Sequence, residues 1–196
     1  LAADAMGAAF TVQAGANESI FQLEVTLGSV SGRVEVEISD RPAQLIINEV
    51  NADVDGVEST EFVEIYNAGG QPAPVSGLSL ELLNGANGQS YGNIELDAAG
   101  VQLQPGQYLV VGDAGVADLI PEGSIFIPWT SRSDDHDLQN GPDGVQLLSA
   151  SGPLDALGYG GDNLSFQEGD RPAPEDPGRG DERTIARCPN GSDQNN

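Results

Sequence analysis

One heptapeptide decides the fold class of this chain: Glu61-Phe62-Val63-Glu64-Ile65-Tyr66-Asn67. Its side chains alternate with the period of a β-strand, so that Phe62, Glu64 and Tyr66 share one face and the intervening residues share the other. Whichever face is buried, one glutamate, Glu64 or Glu61, needs a hydrogen-bond partner, because an ionised carboxylate is costly to bury alone. We interpret that glutamate as a structural group that binds backbone donors and sets the strand register.

Similar short apolar stretches recur on both sides of the heptapeptide and are separated by turns rich in Gly and Pro. They predict strands near residues 45–50, 61–66, 77–83, 107–112, 124–129, 144–148 and 154–159, with a short edge strand at 184–187. Their spacing is typical of a β-sandwich. The positions that we expect to be buried lie in these strands: Ile47, Phe62 or Val63, Leu80, Leu109, Val111, Leu147 and Leu157.

Composition agrees with an all-β protein, since the chain has 26 Gly, 12 Pro, one Met and 38% hydrophobic residues. Residues 1–43 read as three further strands, near 9–14, 20–27 and 33–39, which amount to a partial β-sandwich. This part resembles the end of a bacterial immunoglobulin-like repeat. Asp40-Arg41-Pro42 is the predicted boundary with a second domain, residues 44–196. In that domain residues 162–182 are almost all Gly, Pro or charged, which predicts a long surface loop.

The charge of the chain excludes several classes of partner. Seven Arg, no Lys and 31 acidic residues leave a formal net charge of −24. A nucleic-acid partner is therefore not expected, because phosphate binding needs clustered cations. No apolar run approaches the roughly 20 residues of a membrane span, so we expect no membrane insertion. Because the chain begins at Leu1, we expect it to be a fragment whose signal peptide lies upstream.

Six segments of the second domain resemble the lamin tail domain family in its bacterial extracellular form. They are Ile46-Ile47-Asn48-Glu49-Val50, Glu61 to Asn67 after an acidic loop, Val75-Ser76-Gly77-Leu78-Ser79-Leu80, Leu103-Gln104-Pro105-Gly106 with the strand after it, Asp143-Gly144-Val145-Gln146-Leu147 with Asp155-Ala156-Leu157-Gly158-Tyr159, and Ile185-Ala186-Arg187 with the Asn-rich end. The resemblance covers residues from about 44 to 196. Leu78 departs from the family pattern, since Trp is frequent there.

The resemblance implies an immunoglobulin-like β-sandwich that is not an enzyme. It further implies a secreted or cell-surface accessory module of a larger exported protein, acting as a spacer, an anchor or a domain that binds a protein or cell-surface partner. Two alternatives stay open: a calcium-dependent module that binds carbohydrate or a surface protein, and an appended domain of a secreted hydrolase. The sequence does not predict an oligomeric state.

Residues of the catalytic type are few. The one histidine, His136, lies in the polar stretch Ser131 to Asp137, which is typical of a solvated loop and not of a preorganised dyad. Without Lys the chain has no phosphate-binding loop lysine and no Schiff base. We therefore predict no catalytic residues and no cofactor-binding residues, and the only cofactor left open is calcium.

The better of two candidate metal sites is the loop after the first strand of the second domain; the other, Asp134, Asp135 and Asp137, is more typical of a solvated run of charges. Asn51, Asp53 and Asp55 alternate as in the first half of a calcium loop, Gly56 follows at the turn position, and Glu58 is a further candidate ligand two residues later. Phe62 occupies the place of the bidentate glutamate that normally ends such a loop. The residues therefore predict either a weak calcium site or an ordinary turn rich in Asp and Asn.

Overall fold

The structure, a computed structural model, describes residues 19–27, 30–38, 41–52, 59–121, 124–129, 138–161, 166, 173 and 184–192. The chain divides into two compact units between Arg41 and Pro42. In the first unit, β1 (Ser19–Leu27) and β2 (Val30–Ile38) form an antiparallel hairpin in continuous register from Ser19 opposite Ile38 to Leu27 opposite Val30. The strand predicted near residues 9–14 lies outside the described residues.

The second unit consists of short strands joined by turns. They are β3 (Leu45–Asn51), β4 (Phe62–Asn67), β5 (Ala73–Pro74), β6 (Leu78–Asn84), β7 (Gln89–Leu96), β8 (Gln102–Leu103), β9 (Tyr108–Gly112), β10 (Ile125–Pro128), β11 (Asp143–Ser149), β12 (Gly152–Tyr159) and β13 (Ile185–Ala186). A 3-10 helix, Ala114–Asp118, follows β9. No helix in the described ranges is long and apolar enough to cross a membrane.

These strands form a sandwich of two main sheets. One sheet has the order β10-β9-β4-β3-β13 and the other the order β12-β11-β6-β7, while β5 pairs with β8. Strand β10 runs parallel to β9, and the other paired strands are antiparallel. The core lies between the two sheets. This arrangement confirms the predicted all-β, immunoglobulin-like sandwich.

The buried face of β4 is the one that carries Val63 and Ile65, both fully buried, so Val63 and not Phe62 is the core residue. The other residues expected in the core are also buried, namely Ile47, Leu80, Leu109, Val111, Leu147 and Leu157. Burying each such side chain stabilises the fold by about 1.5–3 kcal/mol, which is why the alternation in sequence dictates the orientation of the strand.

Glu61 is the glutamate on the buried face, and both glutamates of the heptapeptide accept a hydrogen bond. Glu61 is buried, and its Oε2 accepts a hydrogen bond of 2.9 Å from the backbone N–H of Leu138. Glu64 is half-buried on the opposite face, where its Oε1 accepts one of 2.7 Å from Asn48. The carboxylate of Glu61 thus ties a distant segment to the start of β4.

The final residue of the heptapeptide, Asn67, is also fully buried and organises a whole corner of the sandwich. Its amide nitrogen donates to the carbonyl oxygens of Gln71 and Leu103, both at 2.9 Å. Its amide oxygen accepts from the N–H groups of Gly69 at 3.0 Å and Gln44 at 3.3 Å. One side chain therefore satisfies four backbone groups in three separate segments: the irregular residues before β3, the bend after β4 and strand β8.

The structure corrects the strand assignment at β7, which the sequence analysis missed. This strand pairs with β6 from Leu78 opposite Leu96 to Asn84 opposite Gln89, with a register shift between Leu82 and Leu83. Its residues are mostly polar and include Gly92, so they lack the alternation that reveals a half-buried strand. The short strands β5 and β8 were missed as well.

The predicted loop 162–182 lies outside the described residues except at two positions. The ring of Phe166 packs directly against Gly144, at a place where any added Cβ would collide with it. Ala173 forms a parallel β-bridge with Tyr159 at the end of β12, and its backbone N–H donates to the carbonyl of Gly158 at 2.7 Å. These two residues are attached to the sheet of β11 and β12.

Candidate functional site

A groove of about 420 Å³ lies on the outer face of the five-stranded sheet, and we call it the outer groove. Its floor comes from the outward side chains of the two central strands: Phe62 and Glu64 of β4, Tyr108 and Val110 of β9. Their neighbours Val63, Ile65, Leu109 and Val111 point into the core. The alternation that buries one face of these strands therefore leaves a largely apolar strip on the other.

One wall of the outer groove is the segment that follows β9. The 3-10 helix buries Val116 against the sheet, while Leu119, Ile120 and Pro121 form the rim together with Ser124. Leu119 is 69% exposed, the highest value among the large hydrophobic side chains described. A large apolar side chain at the edge of a concave surface is typical of an interaction site.

Asp113 holds this wall in place. Its Oδ2 accepts a 3.1 Å hydrogen bond from the backbone N–H of Glu61, and its Oδ1 accepts one of 2.8 Å from the indole nitrogen of Trp129. The carboxylate thereby connects the turn after β9 to the start of β4 and to the end of β10. Because three elements are joined at one side chain, the rim is positioned relative to the floor.

The polar end of the outer groove is built around Asn48, which lies at a bulge between Ile47 and Glu49 in the pairing of β3 with β4. Asn48 is buried and donates to Glu64, while its Oδ1 accepts a 3.0 Å bond from the N–H of Gly191. Next to it, Asn190 donates to the Tyr108 hydroxyl at 2.8 Å. The C-terminal segment thus closes this end of the groove.

That segment is anchored by Arg187, which bridges both sheets. Its guanidinium binds both carboxylate oxygens of Asp155 on β12, at 2.8 and 3.0 Å, and its Nε donates to the carbonyl of Ile47 on β3 at 2.8 Å. The same carboxylate accepts a hydrogen bond from the N–H of Ile47. Asp155 is 1% exposed and the Arg187 side chain 15%, so the ion pair is well shielded from water.

Two carboxylates stand side by side in the groove. Glu49 of β3 is directly opposite Glu64 of β4, and Glu64 is in turn opposite Val110 of β9. The pKa of Glu64 is raised because burial disfavours its ionised form; the hydrogen bond from Asn48 opposes that effect, and the charge of Glu49 adds to it. The site combines an apolar floor with closely spaced negative charge.

The structure describes only one residue of the predicted metal site, Asn51. Asn51 ends β3, and its amide nitrogen donates to the carbonyl of Thr60 at 3.0 Å. Asp53, Asp55 and Glu58 lie outside the described residues, as does His136. Within the described ranges, no group of three or more His, Cys, Asp or Glu side chains is arranged to hold a metal. The calcium site stays a prediction.

Sequence reasoning missed the outer groove. Two signals in the sequence pointed toward it: the outward aromatic residue Phe62 on a strand that already has an apolar face, and the apolar stretch around Leu119 that lies outside any strand. Neither signal indicates that these residues share a concavity with a segment from the C-terminal end of the chain.

Comparison with known proteins yields one family. The model of the family described as Lamin Tail Domain matches residues 39–161, from the junction of the two units to the residues just after β12. The match ends before β13 and Arg187. No curated protein sequence matches the chain.

Proposed function

The chain belongs to the lamin tail domain family, and from that premise we propose that it is a non-catalytic, extracellular accessory module that recognises a protein partner. Domains of this family typically serve as protein-interaction or structural modules. The observation that carries the proposal is the outer groove, a concave, mainly apolar surface rimmed by an exposed leucine. Such surfaces on single domains are commonly binding sites.

The chemistry of the groove favours binding over catalysis. Ser124 is an aliphatic hydroxyl in the lining, and no histidine stands beside it among the residues of the groove that the structure describes. The chain as a whole has one histidine and no lysine with which to build a nucleophile and base pair. The carboxylates of Glu49 and Glu64 are better suited to attract a positively charged partner group.

Charge and composition support a protein partner in an extracellular setting. With a net charge of −24, the chain repels nucleic acid and anionic lipid and stays soluble in salt. We propose that the sandwich serves as an interaction or anchoring domain of a larger exported protein. Immunodetection of the native protein in culture medium and in cell fractions tests its location.

Selection of random 12-residue peptides displayed on phage, with the purified chain as bait, tests the binding function. The expected peptides bind the wild type and lose binding to Leu119→Glu, which places a charge on the rim of the groove. Leu154→Glu is the matched control, because Leu154 is exposed on β12 of the other sheet. A selection without binders that depend on Leu119 overturns the proposed function.

A further inference from the structure

The pairing of Glu49 with Glu64 is unfavourable unless a cation is near. Their strands are in register at this point, which puts the two Cβ atoms about 4.5–5.5 Å apart. Like charges directly opposite each other destabilise a sheet, and the strongly acidic chain adds to the repulsion. Asn48 donates to Glu64 but carries no charge. A positively charged group between the two carboxylates removes this repulsion.

The apolar part of the groove begins beside that pair. Val110 adjoins Glu64 across the ladder, and Phe62 lies two residues before Glu64 on the same face of β4. Val116 is buried against this floor, whereas Leu119 at the rim is mostly exposed. A ligand that covers Leu119 and Phe62 removes their apolar surface from water, which favours binding.

The distance between the pair of glutamates and the apolar part of the groove sets the shape of the ligand. Residues two apart on a strand are separated by about 6.5–7 Å along the chain direction, and this applies to Phe62 and Glu64. An extended peptide presents its own side chains i and i+2 on one side at the same spacing. Such a peptide matches both parts of the groove without distortion.

On the premise that the sandwich is a protein-interaction module, we propose that the outer groove binds an extended segment of a partner protein with an Arg or Lys and a large apolar residue two positions apart. The cation lies between Glu49 and Glu64, and the apolar side chain covers Phe62 beneath Leu119. Charge complementarity selects a basic segment, since the groove offers two carboxylates on a chain of net charge −24.

Titration of the isotope-labelled chain with synthetic peptides, followed by NMR, tests this assignment. The probe is Ac-Gly-Ser-Arg-Ser-Leu-Ser-Gly-amide, in which Arg and Leu are at i and i+2. One control peptide replaces Arg with citrulline, which has the same shape without the charge. A second control places Arg and Leu next to each other, so that they point to opposite sides. The probe should shift the amide signals of Glu49, Glu64 and Leu119, and each control should bind about tenfold more weakly.

Variants of the protein locate the contact. Glu64→Gln keeps an acceptor oxygen for Asn48 and removes only the charge, so probe affinity should fall about three- to tenfold. Glu49→Gln should act in the same direction, which guards against a folding defect in either variant. Glu95→Gln is the matched control, because Glu95 is exposed on β7 of the other sheet, and it should bind the probe like the wild type.

Several outcomes overturn the inference. Equal affinity for the Arg and citrulline peptides shows that the carboxylates do not select a cation. If calcium alone shifts the amide signals of Glu49 and Glu64 and the peptide does not shift them, the groove is a metal site and not a peptide site. If neutral peptides bind in a way that depends on Leu119, the proposed interaction function stands and only its basic specificity fails.

Discussion

Replacing Arg187 with alanine should destabilise the sandwich by about 3–5 kcal/mol, the range for removing one partner of a buried ion pair. The structure supports this magnitude. Asp155 is 1% exposed, and its carboxylate loses two guanidinium hydrogen bonds of 2.8 and 3.0 Å. The carbonyl of Ile47 loses a donor at 2.8 Å, and that of Ser192 loses one at 3.2 Å. After the substitution the carboxylate still accepts a hydrogen bond from the N–H of Ile47, but it has lost its positively charged partner.

Urea and thermal unfolding of the full chain measure this loss. The single tryptophan, Trp129, is buried in the second unit, so its fluorescence reports on the sandwich. For a domain of about 150–250 residues, 1 kcal/mol corresponds to about 2–4 °C, and the midpoint of Arg187→Ala should therefore fall by about 6–20 °C. Arg41→Ala is the control: Arg41 is exposed, and its replacement should cost about 0–1 kcal/mol.

A double-mutant cycle separates the ion pair from general damage. If Arg187 acts mainly by compensating the charge of Asp155, changing Asp155 to alanine as well should cost little further stability. The free energy of unfolding of the double variant should then lie no more than about 1 kcal/mol below that of Arg187→Ala. Two results refute the reasoning: a loss below about 1 kcal/mol for Arg187→Ala, or a double variant whose loss equals the sum of the two single losses.

Three further predictions concern other polar groups. Asn67→Ala should cost about 3 kcal/mol or more in urea unfolding, because the buried Leu103 carbonyl and Gly69 N–H lose their partner; a loss near that of the exposed control Asn190→Ala would contradict the role of Asn67. Burial raises the pKa of the Asp143 carboxyl group above its ordinary 3.8, so the folded state binds the carboxyl proton more tightly than the unfolded chain does. The wild type therefore loses stability through this group as pH rises above about 4. Asp143→Asn should remove that loss, so the stability difference between variant and wild type should grow from pH 4 to 7; parallel urea midpoints over that range would rule out the effect. If the loop after β3 binds calcium at the affinity of extracellular modules, 10 mM calcium should stabilise the wild type by about 1–3 kcal/mol over EDTA in thermal melts. Asp53→Ala combined with Asp55→Ala should abolish that shift, and an identical shift in the variant would mean that this loop is only a turn.

Local patterns in the sequence determined the strands and the fold class. Alternation places Val63 and Ile65 on one face, and Leu147 and Leu157 follow the same rule in the other sheet. The free energy of burying apolar side chains is roughly additive, so the alternation within each strand predicts which of its positions are buried. The strand β7 shows the limit of this reasoning, since its place in the sheet comes from backbone pairing with β6 rather than from its side chains.

The tertiary structure alone decided which glutamate of the heptapeptide lies in the core and where the outer groove forms. Burial of the Glu61 carboxylate is offset by a hydrogen bond from the N–H of Leu138, 77 positions away. The polar end of the groove depends on the hydrogen bond from Gly191 to Asn48, which are 143 residues apart in the chain, and on the ion pair between Arg187 and Asp155. Hydrogen bonds and ion pairs between such distant segments leave no periodicity in the chain. They form only after two sheets have packed, because their strength depends on geometry and exclusion of water that the unfolded chain does not have.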